Sequence, residues 1–349
     1  MTEREGVRGP GTPVYGALDI GGTKIAGALV DATGRLLARS QRPTPSRESA
    51  EVLMAVVSEI LDDLAEHQEG TALTALGIGC AGPVNTAAGT VSPVNIPAWR
   101  SFPLVDRVRA HPAVLPGPRP TLVGDGVAMA AAEHWTGAAK GVDNALCMVV
   151  STGVGGGLVL DGAVRTGGSG NAGHIGHVCV DQNGPLCPCG ARGCVEAYAS
   201  GTAITAYALD AGWTPPAGAP ATAKEVAGSA RAGHPAAVAA LDRAGRALAA
   251  AIAATAALVE IDLVVVGGGV AQAGETLFAP LRHHLGSYAA LEFTRAVRVV
   301  PAGLALDAGL IGAAAAAAAA FAVDRSDRTP PASPLHFHPP TRKPSWTSS

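Results

Sequence analysis

The chain has 349 residues and a formal net charge of −3, so its length predicts two lobes of ordinary domain size and its charge gives no electrostatic reason to bind nucleic acid or a membrane surface. Hydrophobic residues make up 48% of the composition, but no stretch of about 20 residues is apolar enough to span a bilayer. Six cysteines without a secretory signal peptide predict a reducing, cytoplasmic location.

Both ends of the chain have compositions that predict no packed core. Residues 1–12 are charged and glycine-rich, and we expect a flexible N-terminus there. Residues 324–349 concentrate Pro, Ser, Thr, Arg and His without periodicity, and we expect a disordered tail. His336 and His338 fit this composition, so we interpret them as tail residues rather than as metal ligands.

Strands and helices alternate between these ends. Three strands are predicted first, at 14–20, 23–30 and 35–41. An amphipathic helix follows, because apolar residues recur at helical spacing from Val52 to Leu64. A buried strand at 75–80 then enters a Gly-Pro turn.

The second half of the chain begins in the same way as the first. A predicted strand at 146–151 runs into a glycine turn, and a strand at 158–160 returns to an Asp-Gly turn. The first half has the same order of features and a comparable turn at 31–34. This weak internal repeat predicts two lobes built on one plan.

Glycine-rich turns follow three of the predicted strands and have the parts of a phosphate cradle. Backbone N–H groups can converge on phosphate oxygens where no Cβ intrudes, and this requirement favours glycine. The first turn also has a hydroxyl, an ammonium and a carboxylate that suits water-mediated binding of magnesium. The alternative interpretation of this turn is a plain β-hairpin with a Gly-Gly turn. The predicted nucleotide-binding residues are Asp19, Gly21, Gly22, Thr23 and Lys24 in the first turn, Thr152 and Gly153 in the second, and Gly267 and Gly268 in the third.

Two other glycine patterns match the dinucleotide-binding fingerprint in spacing alone. The pattern at 77–82 is followed at once by Pro83 and opens no helix, and the pattern at 168–173 has no strand before it. No Walker A sequence is present. The glycine turns therefore do not predict a Rossmann or P-loop protein.

A set of potential metal ligands lies between His177 and Cys194. Cys187, Cys189 and Cys194 follow the histidine in turns rich in Gly and Pro, and zinc takes four such N/S ligands at tetrahedral corners. A disulfide is the alternative, but Cys187 and Cys189 are too close in sequence to pair without strain. We therefore predict a Cys₃His zinc site, whose spacing differs from that of zinc fingers.

Asp125 follows a short apolar run and begins an alanine-rich helix. A carboxylate at the end of a strand, opening a cleft, can accept the proton of an attacking hydroxyl. It can also act as the helix N-cap, and the two roles can coexist. Asp125 is therefore the candidate general base.

Together these motifs resemble the ROK family, which contains bacterial sugar kinases and sugar-responsive repressors. The resemblance is carried by Gly-His-Ile-Gly-His at 173–177, Cys-Pro-Cys-Gly at 187–190 and Gly-Cys-Val-Glu-Ala at 193–197, and it covers about residues 14–321. It implies an α/β, two-lobed actin-like ATPase (sugar kinase/Hsp70-type) fold with a zinc-binding loop at 177–194. We expect an N-terminal lobe at 13–123, completed by a C-terminal helix at 307–322, and a larger C-terminal lobe at 124–306.

The resemblance also implies roles for individual residues. Asp125 would be the base that deprotonates the sugar 6-hydroxyl, with ATP and magnesium bound at the glycine turns. A structural zinc would hold the loop that carries His174, His177 and Glu196. The sugar-binding residues that the resemblance implies are Asn95, Asp125, His174, His177 and Glu196.

Two positions differ from the usual family pattern. Gly124 stands where most members have Asn before the catalytic Asp, and His174 stands where most hexose kinases have Glu. An imidazole in place of that carboxylate should disfavour free hydroxyls at C1 and C2 and suit a bulky or inverted 2-substituent. The Gly-His-Ile-Gly-His pattern is similar to that of the family's N-acetylmannosamine kinases, so we predict this substrate, with glucose and N-acetylglucosamine as alternatives.

Hypotheses from other functional classes are a sugar-responsive repressor and an inactive sugar-binding module. Family repressors carry a helix-turn-helix domain before the sugar lobe, and a first turn beginning at Asp19 leaves no room for one. The presence of Asp19, Lys24 and Asp125 argues against an inactive module. We expect a cytoplasmic homodimeric kinase that binds ATP and a hexose or N-acetylhexosamine, without nucleic-acid or membrane partners; ATP and polyphosphate both stay open as phosphate donors.

Overall fold

The computed structural model describes residues 13–67, 73–114, 117–304 and 307–326. The predicted flexible N-terminus at 1–12, the predicted tail beyond residue 326, and both tail histidines lie outside the described residues. The last helix continues through residues 324–326, where the sequence predicts the start of the tail.

Strands and helices alternate throughout the described chain. The first half contains β1 (Val14–Ile20), β2 (Lys24–Asp31), β3 (Leu36–Pro43), α1 (Ala50–Glu66), β4 (Ala75–Cys80), β5 (Val84–Asn85), β6 (Thr90–Val91), α2 (Leu104–Arg109), β7 (Thr121–Gly124) and α3 (Asp125–Trp135). The second half contains β8 (Ala145–Val150), β9 (Val154–Leu160), β10 (Ala163–Arg165), α4 (Glu196–Ala199), α5 (Gly201–Asp210), α6 (Ala223–Arg231), α7 (Pro235–Val259), β11 (Leu263–Gly267), α8 (Glu275–Tyr288), α9 (Glu292–Arg295), β12 (Arg298–Pro301) and α10 (Ala308–Ser326).

Two five-stranded sheets have the same topology. The first has the order β3-β2-β1-β4-β7 and the second the order β10-β9-β8-β11-β12. In each sheet the first three strands pair antiparallel and the last two join parallel to the central strand. The predicted internal repeat is therefore confirmed, and β1 and β8 hold equivalent places.

Helix α1 shows how the predicted periodicity builds one face of the first sheet. Ser49 is its N-cap, and the Ser49 side chain accepts a hydrogen bond from the Val52 N–H. The buried stripe runs from Leu53 to Leu64 and packs against β2 and β3. Val52 belongs to the predicted apolar pattern but is 43% exposed, because it lies in the first turn at the edge of that stripe.

Helices α3 and α10 pack against each other, and small residues allow the close approach. A Cβ on Gly312 would overlap the Ala128 carbonyl, and a Cβ on Gly77 would overlap the Ala313 carbonyl. Helix α10 thereby covers the opposite face of the first sheet, where its residues join an apolar cluster with β1, β2 and β4. Within the part of the chain that the structure describes, no helix combines the length and the hydropathy needed to cross a membrane.

Candidate active site and metal centre

The first glycine turn joins β1 to β2 and is held from the side by the chain that follows β3. The Gly21 N–H donates to the Lys24 carbonyl at 3.0 Å, which closes the turn. The hydroxyl of Thr44 donates to the Gly21 carbonyl at 2.7 Å, and its N–H donates to the Thr23 carbonyl at 3.1 Å. These hydrogen bonds fix the backbone of the turn.

Asp19 lies near the end of β1, where the start of α10 approaches it. A Cβ on Gly309 would lie 2.5 Å from Oδ2 of Asp19, so glycine at the start of α10 permits this contact. Burial raises the pKa of Asp19 from 3.8 to about 6, with a further increase from Asp125, while Lys24 lowers it. Asp19 is therefore a half-buried carboxylate whose ionisation the surrounding protein opposes.

The second turn joins β8 to β9 and is tied to Glu196. The Ser151 N–H donates to the Gly153 carbonyl at 2.8 Å, and the Val154 N–H donates to Oε2 of Glu196 at 2.9 Å. A Cβ on Gly153 would lie 2.7 Å from the same carboxylate oxygen. Glu196 thus supports the second glycine turn through one oxygen, besides its predicted place among the sugar ligands.

The third turn follows β11 and packs against the second. Gly268 has a φ of +90° and lies close to the Val150 carbonyl, so both its conformation and its surroundings require glycine. Gly267 is buried at the end of β11. The more exposed Gly269 lies beyond these two residues and faces Ser151.

A cavity of about 540 Å³ opens beside the second and third turns. It begins at Ser151, Thr152 and Gly269, and its far wall comes from α5, from the segment before α6 and from the start of α6. Sequence reasoning missed this wall, because its small apolar and hydroxyl side chains carry no motif. The missed residues include Thr202, Thr205, Ala206, Leu209, Thr222 and Lys224.

A larger cavity, of about 950 Å³, lies elsewhere between α3, α10 and β10. Mostly small and apolar side chains line it, including the alanine face of α10 between 315 and 320. None of the predicted site residues contributes to its wall. The glycine turns and not this cavity therefore define the candidate site, because the predicted site residues lie at the turns.

The segment that carries Asn95 is anchored by buried aromatic residues. Trp99 is fully buried and stacks on Phe102 with ring centroids 4.7 Å apart. Arg100 donates to three carbonyls of the segment, those of Pro93, Ile96 and Trp99. Asn95 itself is exposed and lies against Gly22 of the first turn, so the predicted sugar and nucleotide residues adjoin.

Asp125 is the first residue of α3, directly after β7. Its Oδ1 accepts the Gly126 N–H at 2.7 Å. The side chain keeps solvent access although protein groups surround it on most sides, and this burial raises its pKa. The hydrogen bond from the Gly126 N–H and the electrostatic effect of His174 both lower the pKa of Asp125. His174 therefore lies within electrostatic reach of the candidate base.

The predicted zinc ligands converge in one cluster. The ligand atoms of His177, Cys187, Cys189 and Cys194 all lie within 4.8 Å of one another. Nδ1 of His177 is 3.8 Å from the Cys187 sulfur, and the Cys189 and Cys194 sulfurs are 3.8 Å apart. A tetrahedral zinc with Zn–S bonds of about 2.3 Å places its sulfur ligands about 3.8 Å apart, so the donor set and spacing fit zinc.

Backbone pairing and a glycine turn shape the loop around the cluster. Short antiparallel bridges pair Cys179 with Cys194 and Leu186 with Arg192. Gly193 has a φ of +68° and lies against the Asp181 carbonyl, where no other residue fits without strain. The loop therefore brings the three thiols and the imidazole together through its turns.

These observations define a class of protein: a two-lobed α/β protein with glycine turns from both sheets and a Cys₃His cluster that could hold a metal. The ROK family model matches residues 15–320. Glucokinase from Thermotoga maritima is 36% identical over 309 residues, which cover 85% of this chain and 95% of that protein. N-acetylmannosamine kinase from Citrobacter koseri is 36% identical over 298 residues, which cover 85% and 96%.

A solved structure extends these similarities to three dimensions. The ROK family glucokinase from Streptomyces griseus, in complex with glucose and AMPPNP, superposes with a TM-score of 0.73 at 34% identity, covering 88% of this chain and 99% of that one. The chain belongs to the ROK family. Its predicted two-lobed actin-like ATPase fold is confirmed.

Proposed function

We propose that this protein is an ATP-dependent hexose kinase that phosphorylates the sugar 6-hydroxyl. The observation that carries the proposal is the position of Asp125 beside the second glycine turn, where His174 and Glu196 act electrostatically on it and where it raises the pKa of Asp19 at the first turn. The similarity to glucokinase and N-acetylmannosamine kinase over most of the chain supports the same activity.

The geometry of Asp125 suits a general base. Its Oδ1 is occupied by the Gly126 N–H, so Oδ2 is left to accept the proton of a sugar hydroxyl. The raised pKa makes this carboxylate a stronger base once it is ionised. Deprotonation by Asp125 then produces the oxygen nucleophile that attacks the γ-phosphate in line.

The two phosphate turns and Lys24 would bind the triphosphate. Their N–H groups converge because Gly21, Gly22 and Gly153 have no side chain, and the Lys24 ammonium adds a positive charge. Asp19 offers a hard oxygen ligand, and magnesium, when bound with ATP, neutralises the charge on the phosphates. The cavity that begins at Thr152 and Gly269 has the size and apolar walls suited to the adenosine.

Zinc would serve a structural purpose in this site. Its ligands His177 and Cys194 bracket the loop that ends at Glu196, and bonds to a metal restrict the movement of such a loop. With Nδ1 of His177 facing the thiols, Nε2 is available to a sugar hydroxyl. Loss of zinc would therefore weaken sugar binding before it affects the nucleotide.

The sugar is best assigned as N-acetylmannosamine. His174 provides an imidazole near Asp125, and Gly124 has no side chain, so a Cβ there would meet the Gly170 carbonyl only at an ordinary contact distance of 3.7 Å. Both features suit a sugar with a bulky axial 2-substituent. Glucose is the second candidate because a glucokinase is equally similar to this chain.

A regulator without its DNA-binding domain is not favoured, because the similar proteins named above are kinases. The boundary of the lobes at 123/124, with residues 307–322 assigned to the first lobe, and the homodimer are part of our proposal. Polyphosphate as donor lacks a matching observation, since the cavity by the second turn is lined mainly by apolar and hydroxyl groups.

The test is a panel of phosphorylation rates with N-acetylmannosamine, glucose, N-acetylglucosamine and mannose, each with ATP and with polyphosphate. We expect the highest kcat/KM for N-acetylmannosamine with ATP. A preference for glucose would reject that substrate and keep the kinase, whereas no turnover with any hexose would reject the kinase itself.

A further inference from the structure

The loop at residues 166–173, here called the bracket loop, connects β10 to the segment that carries His174. Three of its glycines have positive φ values: +73° at Gly167, +96° at Gly170 and +83° at Gly173. The Ala172 N–H donates to the Thr166 carbonyl at 3.0 Å, so the loop closes on itself. Its conformation is therefore specified by the sequence rather than by a ligand.

The bracket loop crosses from the second sheet to the hairpin of β5 and β6. The side chain of Asn171 pairs with both backbone groups of Val84: its Nδ2 donates to the Val84 carbonyl at 2.7 Å, and its Oδ1 accepts the Val84 N–H at 3.0 Å. The Thr86 N–H donates to the Ser169 carbonyl at 3.1 Å. The Asn171 side chain and the Ser169 carbonyl thus bond to backbone groups of the hairpin, as a neighbouring strand would.

The other end of the bracket loop is fixed against the second sheet. A Cβ on Gly173 would lie 2.7 Å from the Gly156 carbonyl in β9. A Cβ on Gly124 would lie 3.7 Å from the Gly170 carbonyl, so the loop also passes beside the residue before Asp125. The loop therefore contacts elements of both sheets around the candidate base.

These contacts determine where His174 lies. A Cβ on Gly82 would lie 3.4 Å from Nε2 of His174 and 3.8 Å from Oδ1 of Asn171, so both side chains face the same short segment before Val84. Only Ala172 and Gly173 separate His174 from Asn171. Movement of Asn171 away from Val84 would therefore move His174 relative to Asp125.

We propose that Asn171 is a positioning residue for sugar binding, which holds His174 beside Asp125 by pairing with the backbone of Val84. This inference rests on the proposed sugar kinase activity. Asn171 does not contact the nucleotide turns. Its effect on sugar binding therefore runs through His174, and ATP binding is unaffected.

The experiment compares Asn171→Ala and Asn171→Asp with a matched control, Asn85→Ala, in the full-length protein. Asn85 is the residue after Val84, and its side chain caps the Ala88 N–H within the same hairpin without reaching the bracket loop. The measured quantities are kcat, KM for sugar and KM for ATP, with N-acetylmannosamine and glucose as the sugars. Dissociation constants of both sugars and the thermal unfolding midpoint are measured in parallel.

In Asn171→Ala, the KM and dissociation constant for sugar should rise roughly ten- to a hundredfold, the effect of losing the contact between a displaced His174 and a sugar hydroxyl, while the KM for ATP stays within about twofold. Asn171→Asp keeps an acceptor for the Val84 N–H and loses the donor, so its effect should be intermediate. Asn85→Ala should match the wild type. If Asn171→Ala unfolds, the aspartate variant supplies the same comparison.

A second comparison uses His174→Ala as the background. Because Asn171 is inferred to act through His174, Asn171→Asp should raise the sugar KM by no more than about threefold in that background. A full additive effect there, or a sugar KM in Asn171→Ala equal to that of Asn85→Ala, would overturn the proposal while wild-type turnover upholds the kinase. A wild-type protein that neither binds nor phosphorylates either sugar would overturn both.

Discussion

Gly22 of the first glycine turn lies directly against Asn95, with no space for a β-carbon between them. The two predicted substrate sites therefore share a wall, and the missing side chain at 22 sets the distance between them. The contact joins a residue of the β1–β2 turn to one that lies more than 70 positions later in the sequence.

Replacement of Gly22 by alanine should displace the Asn95 side chain, because its Cβ and Cγ lie 2.9 and 2.5 Å from the new methyl position. We expect the sugar KM to rise about tenfold, the effect of losing roughly one hydrogen bond to a substrate hydroxyl. Steady-state kinetics would measure it. The control is Gly228→Ala in α6, where nothing lies within 4 Å; unchanged sugar KM in Gly22→Ala would contradict the shared wall.

Asp125→Asn should keep the fold, because the amide oxygen can still accept the Gly126 N–H. It should retain sugar and nucleotide affinity and reduce kcat by at least ~10²-fold, the usual contribution of a positioned base. Turnover and equilibrium binding are to be measured on the same preparation. Near-normal kcat would remove Asp125 from the proposed mechanism.

Asp19→Asn should make the ligand-free protein more stable while it weakens binding of magnesium and ATP. The fold raises the pKa of Asp19 from 3.8 to about 6. The ionised carboxylate therefore destabilises the folded state; this destabilisation is absent below pH 3.8, grows as the pH rises, and is complete above pH 6. The shift corresponds to at most ~3 kcal/mol at pH 8. Denaturant unfolding at pH 5 and pH 8 should show that Asp19→Asn stabilises the protein more at pH 8. An equal stabilisation at both pH values would contradict this explanation.

The purified protein should contain one zinc per chain, and Cys187→Ser or Cys189→Ser should lose the metal together with sugar affinity. Cys179→Ser is the matched control, because Cys179 is exposed on the same loop and does not belong to the ligand set. Elemental analysis and sugar titration measure the two effects. Loss of zinc with full sugar affinity would show that the loop holds its position without the metal.

Specificity should depend on His174. In His174→Glu, glucose kcat/KM should rise relative to that of N-acetylmannosamine by about ten- to a hundredfold, because a charge-assisted contact to the 1- and 2-hydroxyls is worth roughly 1.5–3 kcal/mol. The comparison variant is Gly124→Asn, whose Cβ would lie 3.7 Å from the Gly170 carbonyl, an ordinary contact distance. If Gly124→Asn shifts the ratio and His174→Glu leaves it unchanged, Gly124 controls the choice of sugar.

The sequence was sufficient to predict the fold because its signals are local and repeated. Strand, glycine turn and returning strand occur twice, and the stripe from Leu53 to Leu64 has a helical period. The zinc cluster was equally predictable, since its ligands lie within 18 residues of one another. In both cases the information is contained in short stretches of chain.

The long-range contacts of the site could not be predicted in this way. The hydrogen bonds from Asn171 to Val84 span 87 positions. The hydrogen bond from the Val154 N–H to Glu196 spans 42 positions. Neither pair has a sequence pattern. A side-chain amide or carboxylate that bonds to a backbone group can pair with almost any residue type, because every residue has the same backbone groups. The wall formed by α5 and α6 is missed for the same reason: its residues become neighbours through packing alone.

Helix α10 also has a consequence for how the protein is made. The first sheet is built from residues before 125, yet one of its faces is covered by Leu310, Ala313, Ala314 and Ala317. A ribosome synthesises these residues nearly 190 positions after the first sheet is complete, so the early half of the chain emerges with that apolar face uncovered. Folding of the nascent chain should therefore finish only after α10 has left the exit tunnel, and the interval before that is when a chaperone has an apolar surface to bind.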